Sequence, residues 1–254
     1  IHPDLYFDPG YGFDPAAGDV MVICPGESVQ STEVTVEDAT LVIGCSSEPA
    51  SPYYCEMPTA NFKDFYGTPK SCSGFDPNAK VTIATKPTTD LSYPDQGQYA
   101  LWVRDGGRPG TGQIVVLSPM EIYYDDKGAQ GGFNLGGGGI RNQRTRSNGA
   151  IDPDAVAIFG GKDQQVSSNY ISTSEPFYGK IFNPYADVMF TNTDPLDFHG
   201  AINARGITTS STVKIHWDQS FKYPTGGVDG EGDACDPAQS NCRPVAGSWQ
   251  LLVN

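Results

Sequence analysis

Short runs of aliphatic, β-branched and aromatic residues alternate with turn residues along the first half of the chain. Each run is bounded by Gly, Pro, Asp or Ser, which is typical of β-strands separated by turns. The 3.6-residue periodicity of an amphipathic helix does not persist anywhere, so the pattern predicts an all-β protein. The predicted strands of this half are Val20–Cys24, Val34–Val36, Thr40–Gly44, Val81–Thr85, Tyr99–Val103, Gln113–Leu117 and Glu121–Tyr124.

The second half carries a pattern that repeats about every 20 residues. Phe177–Ile181 reads FYGKI, and 21 residues later Phe198–Ile202 reads FHGAI; a weaker copy, Val156–Gly160, begins another 21 residues upstream. A fixed period of this length with several short strands per repeat is typical of a β-solenoid. The alternative is a chance match between two strands of an ordinary β-sandwich. The remaining short runs of the repeats are Ala186–Phe190, Gly206–Thr208 and Val213–Trp217.

The solenoid interpretation predicts which side chains are buried. Strands of successive coils lie about 4.8 Å apart, and alternate side chains along each strand face the core. The glycine two residues after each leading phenylalanine, Gly179 or Gly200, is expected at a sharp turn. The predicted core positions are Ile181, Val188, Phe190, Ile202, Ile207, Val213 and Ile215.

The sequence divides into four predicted parts. The first combines Asp-Pro steps with aromatic residues and has no apolar periodicity, which indicates an extended arm. The third is rich in glycine and ends with Arg141, Arg144 and Arg146, but it lacks the Gly-Lys-Ser/Thr of a phosphate-binding loop. The parts are an arm at 1–19, an N-terminal β region at 20–130, a Gly/Arg-rich loop at 131–150, and a β-solenoid domain at 151–254 with an acidic disulfide loop at 224–245.

Charge and hydropathy exclude several classes of partner. The chain has 30 acidic residues against 16 Lys and Arg, and its formal net charge is −14. Such a surface repels phosphate backbones and anionic membranes, so we do not expect nucleic-acid binding. No run of about 18 apolar residues occurs, so we expect no membrane insertion by this chain. The chain begins at Ile1 without a signal-like segment. We therefore interpret it as a mature or trimmed chain whose export signal or anchor has been removed.

The cysteines indicate an oxidising compartment. Their number is even and no Cys-x-x-Cys occurs, which favours disulfides over zinc and predicts an extracellular location; the alternative is free buried thiols in a cytosolic protein. Cys235 and Cys242 are close together in the chain, so we expect them to form a disulfide with each other. The other four can pair in several ways that the sequence leaves open, with Cys24–Cys45 and Cys55–Cys72 as a working assignment. The six are Cys24, Cys45, Cys55, Cys72, Cys235 and Cys242.

One acidic loop has the composition of a calcium site. Four carboxylates separated by glycines can converge on one hard cation, and Ca²⁺ takes six to eight oxygen ligands. The string DGEGDACD also resembles part of a thrombospondin type-3 calcium repeat. The alternative is a solvated acidic loop held by Cys235–Cys242. The candidate ligands are Asp229, Glu231, Asp233 and Asp236.

Motifs for enzymatic chemistry are weak. His2, His199 and His216 are scattered, and neither His-Glu-x-x-His nor Gly-x-Ser-x-Gly occurs. We expect His199 and His216 to have structural roles at strand edges. Acidic pairs at 125/126, 152/154 and 194/197 leave a polysaccharide lyase or hydrolase as the alternative. Aromatic residues that could stack on sugars are Tyr53, Tyr54, Tyr123 and Tyr124.

The C-terminal part resembles the β-helical domain of PilX-type type IV pilus-associated proteins over residues 156–254. The resemblance rests on an aromatic-Gly coil, a second aromatic-Gly coil, an Ile-His-Trp-Asp strand and a terminal Ser-Trp. It implies a right-handed parallel β-helix on a pilus or cell surface, without known enzymatic activity. The matching residues are Tyr178, Gly179, Ile181, Pro184, Ala186 and Val188, then Phe198, Gly200, Ala201, Ile202, Ala204 and Ile207, then Ile215, His216, Trp217, Asp218, Ser220, Ser248 and Trp249.

These observations predict a non-enzymatic extracellular structural or adhesive protein. Its expected partners are pilus or surface-filament proteins, or other copies of the chain joined end to end. The open ends of a solenoid carry strand edges that must be capped or paired, and the arm at 1–19 is a candidate for either.

Overall fold

Parallel β-strands dominate the described part of the chain. The computed structural model describes residues 4–7, 14, 17–31, 33–37, 39–46, 49–51, 54, 61–64, 66–73, 80–85, 100–104, 112–124, 132–136, 138–160, 168–173 and 175–217. Within these ranges there is no α-helix, so the all-β prediction is confirmed. The strands are β1 Asp4–Phe7, β2 Val20–Ile23, β3 Ser28–Ser31, β4 Glu33–Glu37, β5 Thr40–Ile43, β6 Phe62–Lys63, β7 Val81–Thr85, β8 Ala100–Arg104, β9 Gln113–Val116, β10 Met120–Tyr124, β11 Gly132–Leu135, β12 Gly139–Asn142, β13 Val156–Gly160, β14 Ser168–Ile171, β15 Phe177–Phe190, β16 Leu196–Thr209 and β17 Val213–Trp217.

The strands form a large sheet of twelve strands and a small sheet of five. All pairings between the named strands are parallel. Three series of adjacent strands can be followed. The first series is β3, β7, β10, β13, the first half of β15, the first half of β16, and β17. The second series is β1, β4, β8, β11, β14, the second half of β15 and the second half of β16. The third series, in the small sheet, is β6, β2, β5, β9 and β12. From β7 to β12 the chain visits the three series twice in this order.

Adjacent strands of the first series pair in the register that the repeat predicts. Phe177 pairs with Phe198 and Ile181 pairs with Ile202, so the 21-residue repeat corresponds to neighbouring parallel strands. The weaker copy departs from this period, because Ile158 pairs with Ile181, 23 residues later. The predicted 21-residue offset of Val156–Gly160 is therefore wrong by two residues. A shift of two residues leaves each side chain on the same face of the sheet, so the inward positions are unchanged.

The predicted core positions are buried or partly buried, with one exception at the edge of the sheet. The predicted positions that are buried are Ile181, Val188 and Phe190. Those partly buried against the core are Ile202, Val213 and Ile215. Ile207 was predicted inside but is 38% exposed. It pairs with Val188 on one side, whereas β17 covers only Leu196–Gly200 of β16, and within the described ranges no strand follows at Ile207.

Two strands, β11 and β12, lie inside the segment predicted as a Gly/Arg-rich loop. The loop prediction over 131–150 is wrong because Phe133, Leu135 and Ile140 occupy buried positions that the surrounding glycines obscure in the sequence.

β10 pairs with β13 and β11 with β14, so the large sheet continues across the predicted domain boundary. Residues Ile1–Asp218 form one compact unit.

The glycines of the repeat lie within strands and not at turns. Gly179 and Gly200 are register partners in β15 and β16. Gly200 has φ +143°, and a β-carbon there would lie 1.9 Å from the carbonyl oxygen of Gly179. The predicted sharp turn is therefore wrong. Glycine is required because the two backbones approach each other closely.

The structure corrects the disulfide assignment. Cys24 is bonded to Cys72, so the working pairs Cys24–Cys45 and Cys55–Cys72 are both wrong. Cys24 follows β2, and Cys72 follows β6, which pairs with β2. This contact between strands distant in sequence brings the two sulfurs together. Cys45 is also disulfide-bonded, to a partner outside the described ranges. Cys55, Cys235 and Cys242 lie outside those ranges as well.

Among the described residues, no helix is long and apolar enough to span a membrane.

Candidate functional site

The outer face of the first strand series carries a column of stacked aromatic rings. Tyr123, Phe159 and Phe182 occupy equivalent positions on β10, β13 and β15. The rings of Tyr123 and Phe159 stack, with centroids 4.9 Å apart and planes 13° apart, whereas Phe159 and Phe182 make a tilted contact, with centroids 6.4 Å apart and planes 52° apart. Tyr123 is 41% exposed and Phe182 is 46% exposed. This aromatic column therefore leaves parts of the Tyr123 and Phe182 rings exposed to solvent.

A second column, the imidazole column, lies on the same face. Tyr178, His199 and His216 are register partners on β15, β16 and β17. The rings stack with centroid separations of 4.3 Å at both steps. Asp197 lies 3.0 Å from Nε2 of His216 and fixes the end of the column. The predicted edge position is wrong for His199, because β16 is paired on both sides; His216 lies on β17, which ends the series in the described part of the chain.

A middle column separates these two. Its members are Glu121, Ala157, Lys180 and Ala201. Lys80 Nζ donates to Glu121 at 2.7 Å, and the Tyr123 hydroxyl donates to the same carboxylate at 2.9 Å. Lys180 Nζ donates to Asp154. The middle column thus alternates small side chains with charged groups held by ion pairs. We call the three columns together the outer face.

Hydrogen bonds set the ionisation of the middle column. Burial raises the pKa of Glu121, but the hydrogen bonds from Lys80 and Tyr123 outweigh burial and hold that pKa below its usual value. The same contact raises the pKa of Tyr123, because the phenolate would face the Glu121 carboxylate. Glu121 is therefore ionised, and Tyr123 is neutral, throughout the physiological pH range.

The imidazole column also has shifted groups. Burial lowers the pKa of His199; the positive charge of His216 lowers it further, and Asp197 opposes both effects. The hydrogen bond from His216 lowers the pKa of Asp197. His199 is therefore a neutral ring at neutral pH, stacked between Tyr178 and His216.

Acidification from about pH 7.5 to about pH 5 is expected to destabilise the fold through His199. Its folded-state pKa lies below the unfolded value of about 6.5, so below that pH the unfolded chain binds more protons and the free energy of unfolding falls. Asp197 is ionised in both states over this window, because its pKa is lowered from an ordinary value already below it. The other charged groups near the stack are His216 and Lys214.

Thermal unfolding of the wild type and of His199→Gln at the two pH values measures this effect. The wild type should lose more stability than the variant on acidification. An equal loss in both proteins would show that His199 is not the group responsible.

The other predicted site residues have mixed outcomes. Tyr54 is 44% exposed, but Tyr124 is buried, and its hydroxyl accepts a hydrogen bond from Asn183 Nδ2 at 2.6 Å. The prediction that Tyr124 is available to sugars is therefore wrong. The candidate calcium ligands Asp229, Glu231, Asp233 and Asp236 lie outside the described ranges, as do Tyr53, Asp125 and Asp126. Among described residues, no cluster of three or more His, Cys, Asp or Glu is arranged to hold a metal ion.

Asp152 and Asp154, which form one of the predicted acidic pairs, have basic partners. Asp152 accepts from Arg146 Nε at 3.0 Å, and Asp154 contacts both Arg146 and Lys180. Arg146, one of the arginines after the glycine-rich segment, is thus engaged within the chain. The 3-10 turn at Pro153–Ala155 places Asp152 as its N-cap and Asp154 in its first turn, which orients both carboxylates.

The outer face has a signal in the sequence that the predictions did not use. Each copy of the repeat places an aromatic or imidazole ring directly after an inward apolar residue: Phe177-Tyr178, Phe198-His199 and Ile215-His216. Once the register is known, these residues fall in one column. The aromatic column carries no equivalent signal, because its spacing of 36 and then 23 residues differs from the 21-residue period.

Comparison of the chain with protein-family models, with curated protein sequences and with solved structures yields no match. The geometry of the described residues is therefore the basis for a functional assignment.

Proposed function

We propose that the parallel strands are successive coils of a right-handed β-helix, and that the protein is a non-enzymatic extracellular structural or adhesive component of a pilus or cell surface. The observation that carries this proposal is the in-register parallel pairing of the first strand series from β7 to β17. Such pairing produces a stiff surface on which side chains recur at the strand spacing of about 4.8 Å. A surface of this kind suits repeated contacts better than catalysis in a cleft.

One further observation supports an extracellular location. The Cys24–Cys72 bond closes a segment of 48 residues, and disulfides of this kind persist in oxidising compartments. A cross-link over such a length stabilises the fold by about 4 kcal/mol in the chain-entropy account. The acidic loop at 229–236 is proposed to bind Ca²⁺ and so to add to this durability.

The proposed partners are surface-filament proteins or further copies of the chain joined end to end. β17 lies at one end of the first series in the described part of the chain. Trp217, on β17, is 50% exposed, and Ile207, in the second half of β16, is 38% exposed. An edge strand that exposes apolar side chains favours pairing with another chain.

Fractionation of cells that produce the protein, with immunogold electron microscopy of the surface material, tests the proposal. We expect label on filaments or on the cell surface. Recovery of the protein in the cytosol would contradict it. Release of reducing ends or unsaturated products from a polysaccharide panel would instead favour a secreted polysaccharide-active enzyme.

A further inference from the structure

We propose that the outer face binds a neutral polysaccharide that runs across the strands, along the two stacked columns. This inference rests on the proposed function, since it names the class of molecule to which an adhesive surface protein would attach. Its elements are the exposed edges of the aromatic column, the hydrogen-bonding groups of the middle column, and the imidazole column on the other side.

The apolar part of the contact comes from the aromatic column. Tyr123 and Phe182 remain 41% and 46% exposed although each ring is held by its neighbour Phe159. Sugar rings carry C–H groups that pack against aromatic side chains, which supply large apolar area at a small cost in conformational entropy. Because Tyr123 already stacks on Phe159 and donates to Glu121, binding requires little further ordering of this ring.

The polar part comes from groups that are held in place before any ligand arrives. Glu121 is fixed by Lys80 and Tyr123, and Lys180 is fixed by Asp154. Carboxylates accept hydrogen bonds from sugar hydroxyls, and the ammonium and imidazole groups can donate to them. A surface in which apolar ring edges lie beside such groups matches the alternation of C–H and O–H groups around a sugar.

The extent of the surface favours a polymer. The aromatic column spans β10, β13 and β15, and the imidazole column continues from β15 through β16 to β17. Five adjacent strands cover about 19 Å at the usual strand spacing. The two columns meet at β15, where Tyr178 and Phe182 flank Lys180. Several consecutive sugar units could therefore contact chemically similar positions.

Charge distinguishes the proposed ligand from other polymers. The chain has a formal net charge of −14, so an anionic polysaccharide would be repelled at long range. The centre of the face also contains the Lys180–Asp154 and Lys80–Glu121 pairs. The centres of protein–protein interfaces are depleted in charged residues, because removing ion pairs from water is costly. A hydrated, uncharged glycan avoids both penalties.

Affinity electrophoresis of the full chain against neutral polysaccharides, namely a glucan, a mannan, a xylan and chitin oligomers, tests the inference. We expect retardation by at least one of them. Phe182→Ala and His216→Ala, one change in each column, should each weaken binding about tenfold or more. Tyr66→Ala is the matched control, because Tyr66 is 70% exposed but follows β6 of the small sheet. It should bind like the wild type.

Three results would overturn the inference: no retardation by any neutral polysaccharide, binding that both column variants leave unchanged, or equal loss in the Tyr66→Ala control. Self-association that sedimentation detects and that both column variants abolish would assign the face to a second copy instead. Circular dichroism of each variant checks that it is folded. Failure here with the protein still located on the cell surface refutes only the glycan ligand, whereas glycan binding by a protein found in the cytosol refutes the proposed function.

Discussion

Replacement of Gly200 by alanine is expected to destabilise the protein by about 3 kcal/mol or more. A β-carbon at this position would lie 1.9 Å from the carbonyl oxygen of Gly179 and 2.9 Å from its carbonyl carbon. Both atoms belong to the backbone of β15, so the clash can be relieved only by separating two paired strands. The φ of +143° adds strain for any residue with a side chain. The melting temperature should fall by about 6–12 °C for a domain of this size.

Gly149→Ala is the matched control for this variant. Gly149 also has a positive φ, +80°, but a β-carbon there would meet no atom within 4 Å. This control should therefore cost only the backbone strain, about 1 kcal/mol. Thermal or urea unfolding of both variants measures the difference. Equal losses would show that β15 and β16 do not approach each other as closely as described.

Truncation of Phe198 to alanine should have an effect of similar size, about 3–5 kcal/mol. Phe198 is fully buried, stacks on Phe177 at 5.1 Å, and meets Phe190 edge to face at 6.0 Å. Strands pair on both sides of it, through Phe177 of β15 and Ile215 of β17. The surrounding core therefore cannot easily collapse into the cavity.

The control for Phe198→Ala is Phe182→Ala, a phenylalanine of the same sheet that is 46% exposed. It should change the urea midpoint by much less, because little buried surface is lost. A small effect of Phe198→Ala, comparable to that of the control, would place Phe198 outside the core and would contradict the register of β16.

The sequence predicted the strands in which apolar residues recur at every second position. Val81–Thr85 and Val213–Trp217 match β7 and β17 at both ends. Several strands that were not predicted have sequences that hide the pattern: β11 begins in a glycine-rich segment, β14 is Ser168–Ile171 with two polar residues at its start, and β6 has only two residues. In these cases the sheet neighbours impose the strand, and local propensity does not.

The candidate site was less predictable than the fold. The Tyr178, His199 and His216 column follows from the repeat once the parallel register is known. The aromatic column depends on the offset between Ile158 and Ile181, which differs by two residues from the repeat. The disulfide between Cys24 and Cys72 depends on β6 returning to the edge of β2, a long-range contact that no local pattern indicates.

The most direct test of the account is a cysteine cross-link between β15 and β16, which the proposed β-helix places in neighbouring coils. In Lys180→Cys/Ala201→Cys, the two sulfurs would lie on register partners of β15 and β16, and mild oxidation should join them, as peptide mapping by mass spectrometry would show. The comparison variant is Lys180→Cys/Gly206→Cys, whose cysteines would face each other only if the same segment folded as an antiparallel hairpin. Stacked parallel coils predict a bond in the first variant alone; a bond in the second alone would contradict them.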